Sequence, residues 1–305
     1  MEIVMLFLNK LNINLRFRQN CWHVRISTFL MILGVSLCTV AGAASPINDC
    51  YVEAKVPVEN RIYTRQTVVL LDETTVFDEK QKLHVAEQIV SLIQPGTHLH
   101  LVAFSAFIQD RYTVPLIEIK LAAPLDESVR YHIRKDYLAK LDSCMNVSIK
   151  RAKSSFISIL EEYHTRTSDK IARSDILAAV KDVGDSIFSR SRTKERQLIL
   201  VSDMLENSSS TSFYGSNGAP REINPDEELK KIMSMDLIGD LRRTKVYVIG
   251  AGVFPASLTK KSTDSYRPLP VMKGLYDFWS KYFEQSGGQL VAFGKPLLLQ
   301  PIGGR

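Results

Sequence analysis

Residues 67–72 read Thr-Val-Val-Leu-Leu-Asp, and the chain continues Glu73-Thr74-Thr75-Val76. A continuous apolar run that closes on an acid, with no polar alternation, is how a parallel strand buried on both faces reads. The flanking sequence supports that reading. Asp78 with Gln81 three residues on is a capping pattern, and Leu83, Ala86, Ile89, Val90 and Ile93 recur at helical spacing until Pro95-Gly96. Residues 98–107 (HLHLVAFSAF) and about 112–121 (YTVPLIEIKL) follow as strands. Strand, helix, strand at this spacing is a βαβ unit.

From Asp126 to about His164 the pattern is polar and helical, with an interruption expected near Asp142 to Val147. A helix is expected from about Ser174 to Phe188, a buried strand at 197–202 (QLILVS) ending at Asp203, a helix over 226–242 and a strand from Lys245 to Val253. The last helix carries Leu275, Phe278, Trp279, Tyr282 and Phe283, and Gly287-Gly288 separates it from a strand at 289–294. This alternation predicts an α/β fold: one doubly wound, mostly parallel six-stranded sheet with one antiparallel edge, flanked by helices. It accounts for residues 44–305 as a single domain, with a helical insertion at about 126–148.

In an open α/β sheet ligands sit beyond the carboxyl ends of the strands. The first strand ends Asp72-Glu73-Thr74-Thr75-Val76, the strand at 197–202 ends at Asp203, and between them a helix opens Ser174-Asp175-Ile176-Leu177-Ala178-Ala179. In these three segments the chain resembles the von Willebrand factor type A (vWA) family. That family carries D-x-S-x-S after its first strand, a Thr before an Ile-x-Ala-Ala-Leu helix and an Asp after its fourth strand, which together form a metal-ion-dependent adhesion site. The resemblance maps Asp72, Thr74, Ser174 and Asp203 onto metal-ligand positions. It departs at Val76, where the family has a second hydroxyl; Thr75 substitutes only if the loop shifts by one residue. Glu73 and Asp175 face the same rim without a matched role.

The resemblance implies a binding module engaging a protein partner, not an enzyme, with Mg²⁺ as the bridging ion and Mn²⁺ or Ca²⁺ as alternatives. A hard cation suits hydroxyl and carboxylate oxygens, and neutral hydroxyl ligands leave it charge with which to hold a partner's carboxylate. With one hydroxyl missing, the alternative is a degenerate site kept as scaffold, in a structural component of an envelope assembly. The polar stretch from Glu206 to about Pro225 leaves from the same rim and exceeds the length of an ordinary connection. Phe213 and Tyr214 within it read either as partner contacts or as decoration on a mobile loop.

Other chemistries find less support. A phosphohydrolase of the haloacid-dehalogenase type needs an Asp at position 74 as proton donor, and Thr stands there. No G-x-S-x-G elbow occurs. His98 and His100 form an H-x-H pair able to bind zinc, but no third ligand is evident at suitable spacing, and a solvated strand face is the alternative.

Arg16, Arg18 and Arg25, the apolar run Ile26 to Val40 and the small residues Ala41-Gly42-Ala43-Ala44 have the layout of a secretory signal. Residues 1–43 are therefore expected to be a signal peptide or an N-terminal membrane tether, and the protein to be exported, periplasmic or secreted. That leader holds Lys10 and three arginines against Glu2, so the rest of the chain carries half of the +6 net charge. With no basic stripe interleaved with aromatics, a nucleic-acid partner is not expected. Cys21 and Cys38 fall in the leader, leaving Cys50 and Cys144 as one disulfide or two thiols.

Overall fold

The computed structural model describes residues 49–303 apart from 109–110, 169–172, 217 and 254–268. The expected leader, residues 1–43, lies outside the described residues. Among the described residues no helix is long and apolar enough to cross a membrane.

Six strands form one sheet: β1 (Arg65–Asp72), β2 (Thr97–Ile108), β3 (Arg111–Lys120), β4 (Glu195–Val201), β5 (Lys245–Ile249) and β6 (Gln289–Phe293). Their order is β3-β2-β1-β4-β5-β6. All neighbours are parallel except β2 and β3, which form the antiparallel edge. The central strand β1 is buried from Gln66 to Asp72, as its unbroken apolar run requires. In register, Asp72 lies beside Phe104 of β2, and Leu71 beside Val201 of β4.

Seven helices are described: α1 (Cys50–Ala54), α2 (Glu79–Val90), α3 (Glu127–Arg130), α4 (Lys135–Arg166), α5 (Ile176–Ser186), α6 (Pro225–Ser234) and α7 (Leu269–Gln285). Asp78 caps α2 through the reciprocal pair with Gln81 that the sequence predicts. One core cluster joins alternate residues of the central strands (Val68, Leu70, Leu198, Leu200, Val246, Val248) to α5 and to the aromatic stripe of α7, Phe278, Trp279, Tyr282 and Phe283. This packing sets the start of α5 against the carboxyl ends of β1 and β4.

Three sequence expectations need correction. No interruption occurs at Asp142 to Val147, because α4 runs without a break through 32 residues. Ser, Asn, Cys and Val there are poor helix formers. However, the buried stripe Leu141, Ser148, Ala152, Phe156 runs through the segment, and Arg130 holds Asp142 by two hydrogen bonds of 3.0 and 2.7 Å. Tertiary packing overrides a propensity cost of a few tenths of a kcal/mol per residue. Cys144 on this helix is joined to Cys50 on α1.

The helix expected over 226–242 stops at Ser234. The chain turns at Asp236 with φ +56° and passes so close to α5 that a Cβ on Gly239 would stand 2.8 Å from the Cα of Lys181. The strand expected to reach Val253 ends at Ile249, because Gly250 takes φ +104° under the ring of Phe77.

Candidate functional site

Asp72, the last residue of β1, is fully buried and its carboxylate is surrounded by hydroxyl donors. Oδ1 accepts from the Thr74 amide at 3.0 Å and the Thr74 hydroxyl at 2.6 Å. Oδ2 accepts from the hydroxyls of Ser174 at 3.0 Å and Ser202 at 2.7 Å. Its backbone carbonyl accepts from the Tyr163 hydroxyl at 2.5 Å, which ties the strand end to α4.

Asp203 stands one residue past Ser202 and is also buried. Its Oδ1 accepts from the Leu205 amide at 2.8 Å, and its own amide donates to the Thr75 hydroxyl at 3.1 Å. Burial raises the carboxyl pKa of Asp203 well above the ordinary range, and the charge of Asp72 raises it further. Burial also raises Asp72, opposed by the hydrogen bonds from Thr74, Ser202 and Ser174. The Tyr214 phenol is pushed up by burial and then by Asp203 and Asp72. Two buried carboxylates, with no basic side chain hydrogen-bonded to either among the described residues, are a donor set that a cation would relieve.

The four residues expected at the site thus occupy one locus. Asp72, Thr74 and Ser174 are hydrogen-bonded together, and Asp203 lies within the electrostatic reach of Asp72. Val76 is 46% exposed and brings no oxygen. The Thr75 hydroxyl oxygen accepts from the Asp203 amide, which leaves it one lone pair. Glu73 is half-buried, with its amide bonded to the Phe104 carbonyl at 2.9 Å. Asp175 caps α5, accepting from the Ala178 amide at 3.1 Å.

Ser202 is the hydroxyl that sequence reasoning missed; its signal was adjacency to Asp203 at a strand end. The hydroxyls differ in how their oxygens are used. The Ser202 oxygen accepts from the Met204 amide at 3.0 Å and the Thr75 oxygen from the Asp203 amide. Those of Thr74 and Ser174 act as donors to Asp72. Among the described residues no donor to either oxygen is seen, which leaves both lone pairs of each to an ion.

Within the stretch from Glu206 to Pro225, Phe213 is a core residue, which corrects both readings of that side chain, whereas Tyr214 is half-buried. Phe213 is fully buried, edge-on to Phe278 with ring centroids 5.0 Å apart and to Trp279 at 6.2 Å. Bridges Ser174 to Asn207, Asn207 to Ser212 and Tyr214 to Pro220 hold the segment. Glu206, buried, accepts from the amides of Ile176 at 2.9 Å and Leu177 at 3.1 Å, so the segment ties down the first turn of α5. Burial, and then Asp175, raises the Glu206 pKa well above the usual carboxylate range.

No protein-family model and no curated protein matches the chain. Solved structures similar to it include an aerotolerance-related membrane protein from Bacteroides fragilis (12% identity, 75% of this chain and 92% of that one, TM-score 0.33). The SpRpn10 VWA domain is also similar (9% identity, 78% and 92%, TM-score 0.30). So is the pilus adhesin SpaC from Lactobacillus rhamnosus GG (9% identity, 76% of this chain but 28% of that one, TM-score 0.36). The fold is vWA-like. That statement rests on the strand order and the single antiparallel edge.

Proposed function

We propose that this chain is an exported, non-enzymatic binding module that engages a protein partner through a divalent cation, Mg²⁺ in the first instance, at the carboxyl rim of its sheet. Thr74, Ser174, Asp72 and Asp203 would hold the ion, directly or through water, and Ser202 would fix the Asp72 carboxylate. The bound ion would supply positive charge for a carboxylate of the partner. Residues 1–43 serve as leader or tether, and residues 44–305 form one domain in which 126–148 is a helical addition. The observation that carries this reading is the convergence of two buried carboxylates and two hydroxyls at the ends of β1, β4 and the start of α5.

The test is calorimetric titration of the chelator-stripped chain with Mg²⁺ and Mn²⁺, beside Asp72→Ala. Saturable binding that disappears in the variant is the expected result. Absence of binding to the parent chain removes the bridging ion.

One observation favours a second reading, a structural component of an envelope assembly. Each oxygen of Asp72 already has two protein donors, so the carboxylate is satisfied without an ion. In that case the rim is scaffold, and partner affinity is the same in chelator and in Mg²⁺.

A further inference from the structure

We propose that His98, His100 and Glu118 form a second metal site, for a zinc-class ion, on the antiparallel edge of the sheet and apart from the Asp72 rim. His98 and His100 are two residues apart on β2 and so project from one face. The sequence offers no third ligand near them, but the β2–β3 ladder sets Glu118 directly opposite His100. Glu118 Oε1 lies 2.6 Å from His98 Nε2 and 3.9 Å from His100 Nδ1. All three ligand atoms lie within 4.8 Å of one another. Two imidazoles and one carboxylate are a donor set that zinc accepts, with a fourth position left open.

The surroundings suit an ion. The imidazoles are mostly sheltered and Glu118 is about half exposed, so the site opens to solvent on the carboxylate side. His100 Nε2 lies 3.2 Å from the side-chain amide of buried Gln66. The Gln66 amide nitrogen faces the ring and donates to Nε2, which leaves the ring proton on Nδ1; ligation through Nδ1 requires the Gln66 amide to turn its oxygen to the ring, after which Nε2–H donates to it. Burial lowers the pKa of both rings, and for His100, brought to about 4, the neighbouring His98 lowers it further. A lowered pKa favours the neutral imidazole, the form that ligates. Lys120 Nζ, 3.0 Å from Glu118 Oε1, holds the carboxylate in the absence of an ion and competes with one.

The experiment is titration of the full, chelator-stripped chain with Zn²⁺ alone, with Co²⁺ absorption as a report of geometry. One saturable site with a tetrahedral Co²⁺ spectrum is expected, unchanged in Asp72→Ala, which separates it from the rim. Loss of a residue that orients a ligand costs roughly 10- to 100-fold in affinity. Gln66→Ala should fall in that range and His100→Ala beyond it, while Lys120→Ala tightens binding. Glu118→Gln, which preserves shape, decides the matter if His100→Ala does not fold. Zn²⁺ affinity equal to the parent in Glu118→Gln, or no saturable binding by the parent, overturns the proposal.

Discussion

Replacing Phe213 by Ala tests whether the segment after β4 belongs to the core that positions the rim. The ring is fully buried and meets Phe278 and Trp279 edge-on, at 5.0 and 6.2 Å. Truncating a buried Phe costs about 3–5 kcal/mol, partly through transfer and partly through the cavity left behind. Each edge-to-face contact accounts for about 0.5–1.5 kcal/mol within such a total. The upper half of the range is expected here, because Phe278 and Trp279, which meet the ring, are themselves fully buried on α7 and collapse poorly. Trp279, whose indole donates to the Met204 carbonyl at 2.9 Å, reports the change by fluorescence. In urea, at a slope of about 2–3 kcal/mol per molar, the midpoint should fall by more than 1 M with the slope unchanged. A loss below about 1 kcal/mol, close to that of an ordinary surface substitution, would refute the placement of Phe213 in the core.

Asp203→Asn should weaken a pH dependence. The folded-state pKa of Asp203 is raised, so the folded chain keeps a proton that the unfolded chain has lost, and ion-free stability falls as pH climbs from about 4 through the folded value. The Asn variant should show a smaller fall and, in chelator at pH 7, a higher melting temperature; an unchanged slope sinks the assignment. Reducing the Cys50–Cys144 bond, whose partners are 94 residues apart, should cost about 4–5 kcal/mol in denaturant titrations if chain entropy dominates. Identical curves with and without reductant would contradict it. Glu206→Ala leaves the Ile176 and Leu177 amides unpaired and should destabilise by about 1–3 kcal/mol, with Glu206→Gln milder because an amide oxygen still accepts. Equal losses in the two variants would show that charge, not hydrogen bonding, matters there. Finally, Thr74→Ala and Ser174→Ala should abolish Mg²⁺ binding in calorimetry, whereas Thr75→Ala and Ser202→Ala should only weaken it. The opposite order would reverse the roles given to these hydroxyls.

Much of the fold was legible because β1, β4 and β5 are buried on both faces and cannot hide among polar residues. TVVLLD and QLILVS leave no periodicity to misread, and the Asp78–Gln81 cap is a local interaction that local sequence specifies. The errors fall where long-range packing decides. Residues 142–147 are helical because Leu141 and Ser148 on either side are buried and Cys144 is pinned to α1. Residues 235–242 leave the helix because Gly239 must approach α5, and nothing within ten residues of sequence announces that neighbour.

The rim divides along the same physical line. Residue type and strand-end position are enough to nominate Asp72, Thr74, Ser174 and Asp203, since each follows or precedes an element whose end is readable. What a sequence does not carry is the direction of a hydroxyl. Thr74 and Thr75 are neighbours of the same type, yet the first gives its proton to Asp72 and keeps its lone pairs, while the second spends its oxygen on the Asp203 amide. Ser202 is similarly committed to the Met204 amide. A hydroxyl oxygen has two lone pairs, so one that already accepts from a buried amide keeps a single lone pair for a cation, in a direction set by the amide contact. The oxygens near Asp72 are therefore not equally free to turn toward an ion. The absence of a hydroxyl at Val76 matters less than whether Thr74 and Ser174, the two uncommitted ones, suffice with the carboxylates and water.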